Sequence, residues 1–346
     1  MIMPQPNTVY SGGNVSSVPP LSAPDPSATP GTSEPMPGRI PLPPPFAPAV
    51  AVNRTHFKVL HLANYRYMEP ARRVYTQLRL IPPAKRYYQT RLDYSVQLAP
   101  LPYDNPISED AFGNVVMDAC HEVIRENLSI AVEFEVETWC AYTDQGLPLP
   151  TALPQQPDED PDFYREFTIR TTPSEAMKAF AEEIAGIAAP DREPIAFLVA
   201  LCERVHREMT FDSKSTGVQT TAAEAWNNRR GVCQDYSHVV LAMCRHVGVP
   251  ARYISGFVPG EGVMHAWVEA LLPIPVRGEN GTTDHRMCWL AYDTTYNHWV
   301  SDNYITVATG RGYSDITPTS GTYYGGGNSL THRNWVKRLK RDVLLL

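Results

Sequence analysis

The period of hydrophobicity changes along this chain, and the change limits what each part can fold into. From about residue 54 to 140 apolar side chains alternate with polar ones. His56-Phe57-Lys58-Val59-Leu60-His61 opens the run, 75–80 and 89–98 continue it, and Leu128-Ser129-Ile130-Ala131-Val132-Glu133-Phe134-Glu135-Val136 is its longest stretch. A period of two puts one face of a strand in a core. Phe112-Gly113-Asn114-Val115-Val116 carries the glycine–asparagine pair of a tight hairpin turn. From Ser174 the spacing becomes helical: Met177, Phe180, Ala181, Ile184 and Ile187 make one face after a serine cap, and Ile195, Leu198, Val199, Cys202 and Val205 make a second. Thr221-Ala222-Ala223-Glu224 is a capping box ahead of Ala225-Trp226. Three strands follow over 252–258, 265–271 and 287–293. Helices and then an antiparallel sheet predict an α+β core, preceded by an all-β, sandwich-like unit.

The ends of these units are set by proline. Residues 1–50 carry 14 of the 33 prolines and only three charged side chains, Asp25, Glu34 and Arg39. Such a segment buries too little apolar surface to offset its ordering entropy. A disordered, polyproline-like tail is therefore expected over 1–53 and the β-unit over 54–140. The proline- and acid-rich stretch 141–165 is expected as a linker, and the α+β core over 166–335. The net charge of −7 argues against general nucleic-acid binding, and no run of eighteen apolar residues predicts a membrane span. No basic region followed by an apolar stretch opens the chain, and the six cysteines are scattered. Both features predict reduced thiols and a cytoplasmic location. Cys202 and Cys244 lie on apolar helix stripes and read as inert core residues.

Cys233 is different. It stands in Arg229-Arg230-Gly231-Val232-Cys233-Gln234-Asp235-Tyr236, where a turn gives way to a helix. Apolar residues at Tyr236, Val239, Val240, Met243, Cys244 and Val247 mark one helical face, and Gly248 and Pro250 stop it. A thiol at a helix start meets unpaired N–H groups and the positive end of the macrodipole, which favour the nucleophilic thiolate. A cysteine nucleophile needs a base. His265, at a strand start after a glycine-containing loop, is the best placed of the ten histidines. Its imidazole needs an orienting partner, and Asp293 ends the next strand. If the two strands pair antiparallel, His265 and Asp293 are neighbours. Asp235 is a like charge two residues from the thiolate and would raise the thiol pKa if it faced the site; as an early helix residue it is expected to serve the helix start and point away. Trp267 shares the strand face of His265, as a cleft wall or as sheet packing. Arg229 and Arg230 either add positive potential near the thiol or are simply solvated. Cys233 and His238 face different sides of the helix, and no CxxC or HExxH occurs, so neither a metal nor another cofactor is expected. Gly325-Gly326-Gly327 lacks the following Lys-Ser or Lys-Thr of a phosphate loop.

Three blocks, Thr220-Thr221-Ala222-Ala223-Glu224-Ala225 through Gly231-Val232-Cys233-Gln234-Asp235, then His265-Ala266-Trp267-Val268-Glu269, then Tyr292-Asp293-Thr294-Thr295, resemble the core of bacterial transglutaminase-like proteins, a branch of the papain-like thiol enzymes. Val307-Ala308-Thr309-Gly310-Arg311-Gly312-Tyr313-Ser314-Asp315 resembles the tail block of that branch. His61, Tyr65-Arg66-Tyr67, Leu78-Arg79-Leu80-Ile81-Pro82 and Phe112-Gly113-Asn114 resemble the β-unit that often precedes it. The resemblance implies Cys233 as nucleophile, His265 as general base and acid, and Asp293 as orienting carboxylate. It further implies a protein or peptide substrate and acyl transfer, with a peptidase or amidase outcome favoured. Glutamine-to-amine crosslinking and a non-catalytic scaffold stay open. Two positions depart from the pattern: Thr294 where a proline is common, and Gly312 where an acid is common.

Overall fold

The computed structural model describes residues 51–142, 148–149, 152–154, 160–277 and 283–345. The tail expected over 1–53 lies outside these residues up to position 50, as do positions 143–147, 150–151 and 155–159 of the expected linker. In chain order the strands before the helices are β1 (Ala51–Tyr67), β2 (Ala71–Ile81), β3 (Lys85–Arg86), β4 (Gln89–Ala99), β5 (Ile107–Glu109), β6 (Val115–Ile124), β7 (Asn127–Tyr142) and β8 (Ala152–Pro154). The helical stretch holds α1 (Glu175–Ile187), α2 (Pro194–Glu208), β9 (Thr210–Phe211), α3 (Ala222–Asn228), β10 (Arg230–Gly231) and α4 (Cys233–His246). It is followed by β11 (Ala251–Phe257), β12 (His265–Arg277), β13 (Thr283–Asp293), β14 (His298–Trp299), β15 (Ile305–Gly310), β16 (Thr319–Tyr324) and β17 (Asn328–Leu345). The fold is α+β, with antiparallel sheets and a β-rich amino-terminal region. Among the described residues no helix is long and apolar enough to cross a membrane.

Two sheets, in the orders β17-β1-β7-β4-β3 and β16-β2-β6-β5, face each other across one core. The alternation read from the sequence decides what enters that core. Phe57, Val59, Ala63 and Tyr65 of β1 and Leu128, Ile130, Val132, Phe134 and Val136 of β7 are buried against Val74, Leu78, Met117 and Ala119 of the other sheet. The outward positions carry a cross-strand ion pair, Lys58 to Glu133 at 2.7 Å, and a cross-strand hydrogen bond between His56 and Glu135 at 2.9 Å. These are partly exposed and contribute about 1 kcal/mol or less each.

Residues 319–335, assigned above to the 166–335 core, are instead strands of this sandwich. β16 pairs with β2, and β17 runs antiparallel along β1 from Tyr67↔Asn328 to Ala51↔Leu345. β17 is an edge strand whose exposed positions include Arg333, Lys337, Arg338, Lys340 and Arg341. Charge on both faces hides the alternation that marks a half-buried strand.

The third sheet has the order β14-β13-β12-β11-β15, with β8 also pairing to β13. Its helix-side face packs on α4, α1 and α2. The apolar stripe read from the sequence understates how deeply α4 is set, because Ser237, His238 and Arg245 are buried as well. Arg245 survives burial because its guanidinium donates to the carbonyls of Tyr164, Ala251 and Arg311 and to Thr171 Oγ1. Burial still pulls its pKa down to about 10.

The other face of this sheet joins the sandwich: Phe257, Ile305 and Val307 are part of the sandwich core. Along β15 two side-chain amides of the sandwich take the place of a neighbouring strand. Gln89 exchanges hydrogen bonds with Thr306 N–H and C=O, both at 2.8 Å, and Asn114 does the same with Thr309 at 2.7 and 2.8 Å. A buried sheet edge must have its polar groups met in this way. Gly256 on β11 allows the closest approach, since a Cβ there would lie 2.0 Å from the Ile305 carbonyl oxygen and 2.7 Å from the Trp267 ring.

Candidate active site

Cys233 is the first residue of α4, and the turn before it is shaped by Asp235. The Asp235 carboxylate folds back, accepting from Val232 N–H at 2.8 Å and Thr216 Oγ1 at 2.6 Å. This meets one of the amides a helix start leaves unpaired. Gly231 makes the fold-back possible, because a Cβ there would lie 2.5 Å from that of Asp235. Burial raises the Asp235 pKa, opposed by those two hydrogen bonds. The carboxylate is thus committed to the turn, as the sequence reading expected. Arg229 and Arg230 are committed elsewhere: one guanidinium lies 3.6 Å over the Trp226 ring, and the other pairs with Asp212 at 3.3 Å. They are solvated turn residues.

β12 and β13 do pair antiparallel, in the register Val268↔Tyr292. The start of one strand therefore lies beside the end of the other. His265 Nε2 is 2.6 Å from Asp293 Oδ2, and both side chains are buried. The imidazole's other hydrogen-bond partner is the half-buried Cys233 thiol. Burial on its own would discharge the imidazolium. The Asp293 carboxylate, by charge and by hydrogen bond, together with Cys233, outweighs burial and holds the His265 pKa well above its ordinary value. The three residues singled out from the sequence are thus brought together.

Asp293 is itself tightly held. Its Oδ1 accepts from the backbone N–H groups of Thr295 and Tyr296 at 2.8 and 3.0 Å, and its Oδ2 also accepts from Tyr304 Oη at 2.6 Å. Asp293-Thr294-Thr295 is an Asx-type turn that the residue types could have suggested. Tyr304 was missed. It is eleven residues away in a loop with no periodic pattern, and only the fold carries it to Asp293. Its hydroxyl is pushed well above the ordinary range by burial and then by Asp293.

Aromatic rings enclose the imidazole. Trp267 stacks at 6.3 Å and is fully buried, so it backs the site as packing, and it meets Tyr304 edge-on at 5.1 Å. The half-exposed Tyr296 stacks on the outer side at 5.2 Å, and its hydroxyl donates to Glu261 in the loop before β12. Burial raises the Glu261 pKa, with His265 acting in the opposite sense. His238 is fully buried, accepts from Tyr313 N–H at 3.1 Å, and is pushed down to about 3 by burial and then by Arg170 and Arg245.

Residues 178–305 match the model of the transglutaminase-like superfamily, and residues 57–137 match that of the bacterial transglutaminase-like N-terminal region. The chain thus carries a transglutaminase-like core preceded by a bacterial transglutaminase-like N-terminal region. An uncharacterised protein of Mycobacterium tuberculosis is 26% identical over 292 residues, covering 80% of this chain and 90% of that one. A protein-glutamine gamma-glutamyltransferase of Pseudomonas aeruginosa is 26% identical over 162 residues, 42% of this chain and 22% of that one. A crystal structure from Cytophaga hutchinsonii that carries the provisional name of cysteine protease superposes with a TM-score of 0.62 at 22% identity, covering 84% of this chain and 92% of that one. At that identity the likeness speaks to the fold alone.

Proposed function

We propose that this chain is a thiol-dependent acyl-transfer enzyme in which Cys233, His265 and Asp293 form the catalytic triad. The observation that carries the reading is the imidazole clasped between a buried carboxylate at 2.6 Å and a half-buried thiol at a helix start. In the first step the Cys233 sulfur attacks a peptide or carboxamide carbonyl carbon, and the negative oxygen is met by backbone N–H donors at the start of α4. Imidazolium His265 then passes its proton to the departing nitrogen, the C–N bond breaks, and a thioester remains. In the second step His265 takes a proton from water as the water adds to the thioester carbon. The C–S bond breaks, the acid leaves, and the resting state returns.

Hydrolysis of protein or peptide substrates is the favoured outcome. The name of the Pseudomonas aeruginosa relative supports the second reading, in which a primary amine replaces water and two proteins become crosslinked. Convergence of all three side chains disfavours a non-catalytic scaffold. A cytoplasmic location is proposed on the scatter of the cysteines, none of which is in a disulfide.

Trapping the thioester from a peptide library, with and without a primary amine, tests the reading. Mass spectrometry is expected to find an acyl adduct on Cys233 and none on Cys233→Ala. An intact Cys233→Ala variant that still turns over substrate would overturn it.

A further inference from the structure

β17 begins more than thirty residues after Asp293, yet it holds the loop that brings Tyr304 to Asp293 and the loop that leads into His265. The first loop is 300–304, which delivers Tyr304 to Asp293. In it Asp302 is fully buried, and its carboxylate accepts Arg341 Nε and Nη2, both at 3.1 Å. The same carboxylate accepts Thr55 Oγ1 at 2.6 Å and the Tyr142 hydroxyl, and Thr138 Oγ1 donates to the Asp302 carbonyl at 2.5 Å. Next to it, Asn303 Oδ1 accepts from Arg338 Nη2 at 2.9 Å. The second loop ends at Met264, the residue before His265. The Asn334 side chain, turned so that its oxygen accepts from Met264 N–H at 3.1 Å, donates through its nitrogen to His61 Nδ1 and the Arg333 carbonyl. Burial brings the His61 pKa down to about 4 and keeps the ring neutral as an acceptor.

The strand is built irregularly at the point where this matters. Arg338 and Arg341 are three apart, so a regular strand would send them to opposite faces. The register slips between His56 and Phe57: His56 pairs with Lys340 and Phe57 with Arg338, and Leu339 is left over. This bulge turns both arginines toward the loop, while Lys340 between them faces out to Asp342 at 2.6 Å. A bulge costs ladder pairing, and here it re-aims a side chain. A bidentate Arg–carboxylate fork also fixes direction, which a lysine cannot do.

We propose that β17 is a strap that positions the catalytic pair, with Arg341 and Asn334 as positioning residues that act through Tyr304–Asp293 and through Met264–His265. The proposal rests on the acyl-transfer reading, and it makes β17 part of the active-site architecture.

The test uses the whole chain with Arg341→Lys, which keeps the charge and loses the fork, and Asn334→Leu, which keeps the branched shape and loses the acceptor for Met264. Lys340→Ala on the outward face is the control. Each variant is read for melting temperature, for kcat and KM separately, and for the titration of His265 by histidine-labelled NMR in the resting protein. Both variants are expected to lower kcat by about fivefold or more with little change in KM, an effect on positioning alone. Both are also expected to move the His265 titration toward lower pH. Lys340→Ala is expected to change neither. Variants that lose only melting temperature, with kcat and the His265 titration unchanged, would overturn the strap. The NMR titration needs no substrate, so it can support or sink the strap even if Cys233 never forms an acyl adduct.

Discussion

Asp293→Asn reaches the centre of the proposed mechanism and keeps the volume of the side chain. The Thr295 and Tyr296 N–H groups at 2.8 and 3.0 Å require an acceptor, so the asparagine carbonyl must take the place of Oδ1. Its NH2 then faces Tyr304 and His265 Nε2. A donor facing Nε2 makes that nitrogen the acceptor and moves the ring proton to Nδ1, where it faces the thiol instead of receiving its proton. The charge partner is lost as well. Two unit charges about 4 Å apart at an effective dielectric near 20 attract by about 4 kcal/mol. An attraction of that size favours the imidazolium strongly, so losing it moves the ring toward its neutral form. With the carboxylate gone, burial is the largest influence left on His265, and it lowers the pKa.

Linkage gives a second, independent sign. In the native protein the His265 pKa is raised above 6.5, so its stabilising contribution is complete below that value and is lost as the pH climbs through the folded-state pKa. In the variant the pKa is depressed, and stability is instead lost as the pH falls. The assay is the rate of Cys233 alkylation by iodoacetamide against pH, read by intact mass, with urea melts at each pH and far-UV circular dichroism as the folding control. The expected result is a loss of at least a hundredfold in rate near about pH 6, together with the reversed pH trend in the melts. A folded Asp293→Asn protein that is alkylated near pH 6 as fast as the parent would refute the reasoning.

The same alkylation followed by peptide mapping should label Cys233 well ahead of Cys244, which burial pushes up to about 12, and Cys202, which burial raises further. Gly256→Ala forces a methyl to within 2.0 Å of the Ile305 carbonyl oxygen. It should cost about 3 kcal/mol in urea unfolding. Asn114→Leu leaves both backbone groups of Thr309 without their partners at 2.7 and 2.8 Å. It should cost about 3 kcal/mol by the same measurement, with the loss appearing as unfolding of the whole chain because the amide bridges sandwich and core.

The local signals in the sequence were enough to find the site's ends but not its supports. Cys233 was legible because a helix start has a signature of its own: a glycine turn, an early acid and a periodic apolar face, all within twenty residues. His265 and Asp293 were legible because strand ends follow from alternation, and antiparallel pairing brings one strand's start to the next one's end. The sandwich strands β1, β2, β4 and β7 were legible for the same reason.

What only the tertiary structure decided depends on contacts between residues distant in the chain that have no periodicity to announce them. Tyr304 reaches Asp293 from a loop. Gln89 and Asn114 stand in for a strand beside β15, and that pairing is visible only once the sheet edge exists. β17 returns to β1 across almost the whole chain, with charges on both faces and a bulge that breaks its alternation. A local pattern reports which side of an element faces a core. It holds no information about which distant donor meets a buried carboxylate, because that match depends on how the packed elements are placed in space.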